Sequence, residues 1–263
     1  MGARLGYVAR GVVYFSIGAI ALLAALRLAP HPHGALEAVR AWSQWPLGNI
    51  LLWVLGLGLY AFAGWRAMQS ILDADNQGRS PKAIGSRIGQ AISGLIYGGL
   101  AVSVFDIIDT LHDLRHVSEQ VRTREAVAAV LEWPAGSTLV ILGGVFIMAC
   151  GIGNAVRAVL DDFGRTLRCD TRTTAWACLM ARFGYMARGL AMLPVGFFMT
   201  VAGLHARAAE ARSVGAALSA LHSRPWGGLA LAALAIGFMA FAAFAFVESW
   251  YRPIRPEGAA EIR

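Results

Sequence analysis

The stretches RLGYVARG at residues 4–11 and RFGYMARG at residues 182–189 differ only at two apolar positions, although they lie near opposite ends of the chain. A third stretch, RIGQAISG at residues 87–94, keeps the first Arg, the apolar residue after it and both glycines. A pattern that recurs at long intervals indicates tandem copies of one structural unit. The sequence therefore predicts three repeats, over residues 1–79, 80–168 and 169–263. The motif positions are Gly6, Tyr7 and Gly11, then Gly89 and Gly94, then Gly184, Tyr185 and Gly189.

A second pattern occurs once in each repeat, further along the chain. It reads Ala, apolar, any residue, Ala, apolar, three residues, Pro, any residue, Gly. Apolar residues three apart favour a short helix that lies on the membrane interface. We predict that the proline then sits in the first turn of the next helix, where its missing N–H has no partner to lose. The three prolines are Pro46, Pro134 and Pro225.

The chain is too apolar for a water-soluble protein of its length. Hydrophobic residues make up 57% of it and charged residues 15%, and the mean hydropathy is +0.56. Six stretches approach the roughly 20 apolar residues that a membrane-spanning helix requires. The sequence therefore predicts an all-α integral membrane protein, with two transmembrane helices in each repeat. The predicted spans are residues 7–28, 47–68, 88–108, 135–159, 183–204 and 226–247.

Each predicted repeat crosses the bilayer twice, so successive copies point the same way. They are parallel repeats, related by an axis along the membrane normal. Three such copies in one chain most simply close as a pseudo-threefold ring.

The basic residues are distributed unevenly between the two sides of the predicted membrane. Of the 23 Lys and Arg residues, 15 lie on the side that holds both termini and 8 on the other, whereas Asp and Glu divide equally. The positive-inside rule therefore predicts cytoplasmic N- and C-termini. The net charge of +7 reflects this topology rather than nucleic-acid binding. We expect the bilayer as partner, with weak attraction of the cytoplasmic face to anionic lipid, and the sequence names no protein partner.

The Gly-Tyr-x-Ala-Arg-Gly opening, the three two-helix copies and an acidic residue closing the even-numbered helices resemble a bacterial family known as domain of unknown function 1206. The resemblance covers essentially the whole chain, and residues 6–11 and 184–189 are its most specific part. It implies a membrane fold in the bacterial inner membrane, and it implies no activity and no catalytic residues. The second repeat departs from the motif at Gln90 and Ser93.

Charged residues near the inner ends of the predicted spans suggest ion pairs. Arg10 and Arg188 lie about one turn inside the boundary, where a charge without a partner is costly. The second helix of each repeat returns to this face and brings a carboxylate. A role in fastening the helices is favoured over a role in substrate binding. The predicted pairs are Arg10 with Asp73, Arg188 with Glu248, and Arg87 with Asp161.

All six histidines fall on the predicted outer side. His112 and His116 are four residues apart, and Asp109 is at a compatible spacing, so one helix face could offer ligands to a divalent metal. Solvated interfacial residues are the favoured alternative, because two histidines without further ligands are a weak signal.

Three functions fit these patterns. The first is a non-enzymatic membrane scaffold or stress-linked factor that acts through helix packing, lipids or partners. The second is a permeation protein for a small solute or ion along the pseudo-threefold axis, and the third is a metal-dependent membrane enzyme that uses the outer histidines. The sequence contains no nucleotide-binding loop, nucleophile elbow or paired-cysteine metal motif, so neither an enzyme nor a cofactor is expected. No charged residue or histidine occupies the middle of a predicted span, which disfavours a proton-coupled transporter.

Overall fold

The structure is a computed structural model that describes residues 2–28, 38, 40, 48–73, 78, 80–109, 118–161, 163 and 171–251. Six helices in this part of the chain are long and apolar enough to cross a membrane. Two shorter helices precede the fourth and sixth spans. In chain order the helices are α1 (Gly2–Ala25), α2 (Gly48–Ile71), α3 (Pro81–Asp109), α4 (Glu119–Leu131), α5 (Gly136–Leu160), α6 (Thr171–Leu204), α7 (Val214–His222) and α8 (Gly227–Tyr251).

The all-α class and the six spans are confirmed. The largest difference from the predicted boundaries is at the start of α6, which begins at Thr171 rather than at residue 183. No Gly or Pro interrupts residues 171–182, so the helix continues beyond its membrane-spanning part.

Short helices precede the second spans of repeats 2 and 3, as the sequence predicts. The hydroxyl of Ser118 accepts a hydrogen bond from the Val121 N–H at the start of α4, and the hydroxyl of Ser213 accepts one from the Ala216 N–H at the start of α7. These serine caps satisfy backbone donors that the first helical turn leaves unpaired. The corresponding segment of repeat 1 lies mostly outside the described residues.

The second spans begin at the glycine of the Pro-x-Gly pattern. In α5 the N–H of Gly136 donates to the Trp133 carbonyl at 2.8 Å, and in α8 the N–H of Gly227 donates to the Arg224 carbonyl at the same distance. A Cβ at either glycine would collide with the carbonyl end of the preceding short helix.

The prediction that the prolines lie in the first helical turn is therefore wrong for Pro134 and Pro225. Both lie in the tight turn just before the helix, because the crowded first helical position accepts only glycine. Pro46 lies outside the described residues.

The spans pack side by side in an arc. The first span of repeats 2 and 3 lies against the second span of the repeat before it, α3 against α2 and α6 against α5. The first span of repeat 1 lies in the same way against the last span of the chain, α1 against α8. Within repeats 1 and 3 the two spans also pack together, α1 with α2 and α6 with α8. Among the described residues, α3 and α5 of repeat 2 share no comparable interface. The order is therefore α3, α2, α1, α8, α6, α5, with the arc open between its two ends. The pseudo-threefold relation stays a prediction.

The two glycines of the repeat motif explain how one helix fits between two others. Five residues along a helix correspond to a rotation of about 140°, so the two glycines face different neighbours. A Cβ on Gly6 would lie 2.5 Å from an atom of Phe62 on α2, and one on Gly184 would lie 2.5 Å from Phe241 on α8. The first glycine of the motif thus contacts the second span of its own repeat.

The second glycine of the motif contacts the preceding repeat. A Cβ on Gly11 would lie 2.8 Å from Phe246 of α8, and one on Gly189 would lie 2.6 Å from the Gly151 carbonyl of α5. Gly94 is less crowded and would meet Arg66 of α2 at 3.2 Å. Gly-mediated close approach is the usual way in which membrane helices gain dispersion contacts.

Repeat 2 breaks this arrangement at one position. Among the described residues, no atom outside its own helix backbone lies within 4 Å of a Cβ placed on Gly89. Counted from the Pro-x-Gly pattern, Phe62 and Phe241 occupy the same place in their repeats, and the middle repeat has Cys150 there. The small thiol cannot reach across as a phenyl ring does, so α3 and α5 stand apart.

Replacing the first motif glycine by alanine should change the free energy of unfolding differently in the three repeats. We expect Gly6→Ala and Gly184→Ala to lower the free energy of unfolding by about 1–3 kcal/mol, because the methyl group overpacks a filled contact. Gly89→Ala should leave it unchanged or raise it by up to about 1 kcal/mol, since alanine is the better helix former and the space is open. Denaturant unfolding of the three variants in one detergent makes the comparison. Equal losses in all three would contradict the open side at α3.

Candidate functional site

An ion pair connects the first span to the last. The guanidinium of Arg10 on α1 donates a hydrogen bond to the carboxylate of Glu248 on α8. The two side chains are only 2% and 6% exposed, so this pair lies inside the bundle. A buried charge persists when its partner compensates the lost hydration. The pair therefore fixes the register between repeats 1 and 3.

Aromatic rings surround the Arg10 guanidinium. Its central carbon lies 5.1 Å from the ring centre of Tyr7, 5.5 Å from that of Phe62 and 5.0 Å from that of Phe241. The negative face of an aromatic ring attracts a cation, and the attraction is stronger away from water. Arg66 of α2 lies 5.0 Å from the Phe62 ring on the same cluster.

Arg188 of α6 is the repeat counterpart of Arg10, and its surroundings differ. Its guanidinium carbon lies 5.4 Å from the Phe241 ring and 5.7 Å from the Tyr14 ring. Tyr97 and Tyr185 are also within electrostatic range. Within the part of the chain that the structure describes, no carboxylate lies at ion-pair distance from Arg188.

The two arginines thus share one aromatic ring, and among the described residues only Arg10 has an acidic partner. The charges of Arg10 and Glu248 cancel, which leaves the charge of Arg188 in a mostly aromatic interior. We call this group the arginine–aromatic cluster. It consists of Arg10, Arg188, Glu248, Tyr7, Tyr14, Phe62, Tyr97, Tyr185 and Phe241.

The predicted pairing of Arg10 with Asp73 and of Arg188 with Glu248 is wrong. Glu248 lies 23 residues after Pro225, and the residue 23 after Pro46 is Gln69, which is buried. Asp73 lies one helical turn further on, after α2 has ended at Ile71. Its carboxylate accepts a hydrogen bond from the Gly78 N–H at 2.8 Å. Asp73 is therefore not the repeat counterpart of Glu248, because it lies one helical turn beyond the equivalent position.

The predicted pairing of Arg87 with Asp161 is also wrong. The Arg87 side chain donates to the Ser70 carbonyl at 2.7 Å and to the Ile71 carbonyl at 2.9 Å, so it covers the C-terminal end of α2. An arginine there is favoured because the last carbonyls of a helix lack intrahelical donors. Asp161 instead lies 3.8 Å from Arg157 of its own helix in a largely exposed pair.

Most of the proposed metal ligands fall outside the described residues. This applies to His112 and His116, whereas Asp109 is exposed at the end of α3. No group of three or more potential metal ligands occurs within the described ranges. His205, also on the predicted outer side, lies 2.7 Å from the carboxylate of Glu210.

Sequence reasoning missed the aromatic members of the cluster. Phe62, Phe241 and Tyr14 look like ordinary span residues when they are read singly. Alignment of the repeats on the Pro-x-Gly pattern pairs Phe62 with Phe241, and alignment on the glycine motif pairs Tyr14 with Tyr97. That double alignment was the available signal.

A family model described as Domain of Unknown Function (DUF1206) matches the chain three times, at residues 5–73, 88–161 and 183–252. The chain belongs to the DUF1206 family. Each match holds one glycine-motif span and the span that follows it, which confirms the three repeats. A Bacillus subtilis (strain 168) relative, "Uncharacterized protein YxxB", is 27% identical over 254 residues, covering 95% of this chain and 90% of the relative. No solved structure matches the chain.

Removal of Glu248 from this DUF1206 protein should be strongly destabilising. Glu248→Gln leaves the Arg10 charge buried without compensation, and we expect a loss of about 3–5 kcal/mol in the free energy of unfolding. Asp161→Asn is the matched control, because it removes a carboxylate from an exposed pair worth at most about 1 kcal/mol. Arg10→Gln combined with Glu248→Gln should recover part of the loss. Denaturant unfolding in detergent measures all three; similar values for the Glu248 and Asp161 variants would contradict a buried pair.

Proposed function

We propose that this protein is a non-enzymatic scaffold of the bacterial inner membrane, with both termini in the cytoplasm. It acts through helix packing and through contacts with lipids or partner proteins. The observation that carries the proposal is the packed interior of the bundle. Five of the six spans contribute to one continuous apolar core, and its buried members include Val13, Ile17, Leu59, Val104 and Phe238.

This core argues against the alternative of permeation along the axis. A conduction path needs room for water and polar groups that replace the hydration shell of the solute. Interlocked branched and aromatic side chains supply neither. The buried hydroxyl of Ser16 is engaged with the protein itself, because it donates to the Val12 carbonyl at 2.9 Å.

The outer surface supports a lipid-facing role. In the most apolar stretch of each span, only 17% of the residues of α5 and 22% of those of α3 are buried inside the protein. The same share is 50% for α1 and α8. Large apolar side chains such as Leu95, Leu142 and Leu160 stand exposed on the two peripheral helices. In a bilayer these surfaces contact acyl chains or other membrane proteins.

Reconstituted protein should not increase membrane permeability. We expect liposomes that contain the purified chain to release potassium, and to shrink in glycerol or urea gradients, at the rates of protein-free liposomes. Liposomes treated with a pore-forming peptide serve as the positive control. Rates that rise in proportion to the protein content would replace the scaffold proposal with permeation.

The proposed topology has its own test. A green fluorescent protein fused after residue 263 should be fluorescent, and alkaline phosphatase at the same position should be inactive, because the C-terminus lies in the cytoplasm. Fusions truncated after Leu131, at the end of α4, should give the opposite pair of results. The reverse pattern at both positions would show that the termini lie outside the cytoplasm, which would contradict the topology inferred from the distribution of Lys and Arg.

A further inference from the structure

The open side of the arc is bordered by small and polar residues. Helical spacing places Gly89 and Ser93 on one edge of α3, away from its contact with α2. On α5, Gly143, Cys150 and Asn154 share the facing edge by the same spacing. In the part of the chain that the structure describes, no neighbouring helix lies within 4 Å of a Cβ on Gly89 or Gly143, so these backbones are uncovered there. We call this region the α3–α5 opening.

The ends of the arc curve toward each other rather than diverge. Tyr97 of α3 and Cys150 of α5 both interact electrostatically with Arg188, although they belong to the two end helices. Asn154 of α5 contributes its side-chain amide to the same interior, where it lies 3.6 Å from the Met192 sulfur of α6. The α3–α5 opening therefore lies beside the part of the interior that holds Arg188.

Arg188 is the charged residue that both sides of the α3–α5 opening approach. It lies in the interior of the bundle but keeps part of its surface accessible, unlike its counterpart Arg10. The charge needs a counter-ion, because an uncompensated guanidinium in an apolar interior is costly. The described part of the chain supplies aromatic rings and tyrosines around it and no carboxylate at ion-pair distance.

Arg188 lies slightly deeper in the membrane than the plane of the lipid headgroups, at a depth that a phosphate can reach if one lipid is displaced a few ångströms inward. The apolar part of α6 begins near Phe183, and five residues of helix place Arg188 roughly 8 Å further along. This is the side of the membrane on which the chain termini lie. An anion that reaches Arg188 sideways must come with an apolar body, since the outer walls of the opening, such as Ile96, face hydrocarbon.

We propose that the α3–α5 opening binds one anionic phospholipid from the leaflet that borders the chain termini, with its phosphate paired to Arg188. A guanidinium donates two parallel hydrogen bonds to a phosphate, and the tyrosines beside it offer further donors. One acyl chain lies along the small residues of α3 and α5. This inference goes beyond the scaffold role, because it rests on Arg188 and the α3–α5 opening and does not require that role.

Native mass spectrometry of the full chain in detergent tests the site. The probes are phosphatidylglycerol and phosphatidylcholine with identical acyl chains. We expect one phosphatidylglycerol to be retained about tenfold more tightly than phosphatidylcholine, and Arg188→Gln to abolish the preference. Arg4→Gln is the charge-matched control, because Arg4 is exposed near the start of α1, on the same side of the membrane and away from the α3–α5 opening. It should bind as the unaltered chain does.

A second variant keeps the test independent of Arg188. A Cβ at Gly89 meets no described neighbour, so Gly89→Leu should fill the α3–α5 opening and abolish phosphatidylglycerol retention, while the unfolding midpoint stays unchanged. Gly99→Leu, in the same helix and equally open but turned toward the lipid, should retain binding.

Four outcomes would overturn the proposal. They are equal retention of the two lipids by the unaltered chain, an unchanged preference in both Arg188→Gln and Gly89→Leu, displacement of the lipid by millimolar inorganic phosphate, and occupation of the opening by a second copy of the chain, seen as a dimer that Gly89→Leu dissociates. The permeability test of the scaffold proposal is unaffected by any of them.

Discussion

The fold depends on a steric constraint, which is that the first spans of repeats 1 and 3 must each fit between two others. Two glycines five residues apart place gaps about 140° apart around one helix, and each gap receives a neighbouring helix. In repeats 1 and 3 the first gap holds Phe62 or Phe241 of the same repeat. The second gap admits the preceding repeat. Since lipid tails are as apolar as the side chains, association in the membrane depends on such close contacts more than on hydrophobic burial.

The ion pair of Arg10 and Glu248 complements this packing by specifying which helices meet. The glycine contacts of repeats 1 and 3 are similar and would by themselves tolerate exchange between these repeats. The carboxylate occurs only in repeat 3, because the equivalent positions hold Gln69 and Arg157. A buried charge pair gives little net stability, but a mismatched partner would leave a charge uncompensated. The pair therefore selects contact between α1 and α8, the two spans that are most distant in the chain.

The architecture was readable from the sequence, whereas the site was readable only in part. Span positions follow from apolar length, and the repeats follow from motif spacing, so both were predicted correctly. The partners of Arg10 and Arg188 were not, because an acidic residue near the end of a helix does not reveal on which turn it lies. Asp73 and Glu248 look equivalent until the repeats are aligned on the Pro-x-Gly turn. Nothing local to repeat 2 indicated an open arc, since a missing contact becomes visible only when Cys150 is compared with two distant phenylalanines.

The divergence of repeat 2 is concentrated in the residues that build the cluster in the other repeats. Tyr is replaced by Gln90, Arg by Ser93 and Phe by Cys150, while both motif glycines are kept. Gly94 still has a neighbour to accommodate in α2, but Gly89 has none among the described residues. Loss of folding constraint alone would allow larger residues at an uncovered helix position, where glycine costs about 1 kcal/mol relative to alanine. Glycine at this position keeps the space open opposite a small thiol and near Arg188, which has no carboxylate at ion-pair distance among the described residues, and this is the arrangement that the proposed lipid site needs.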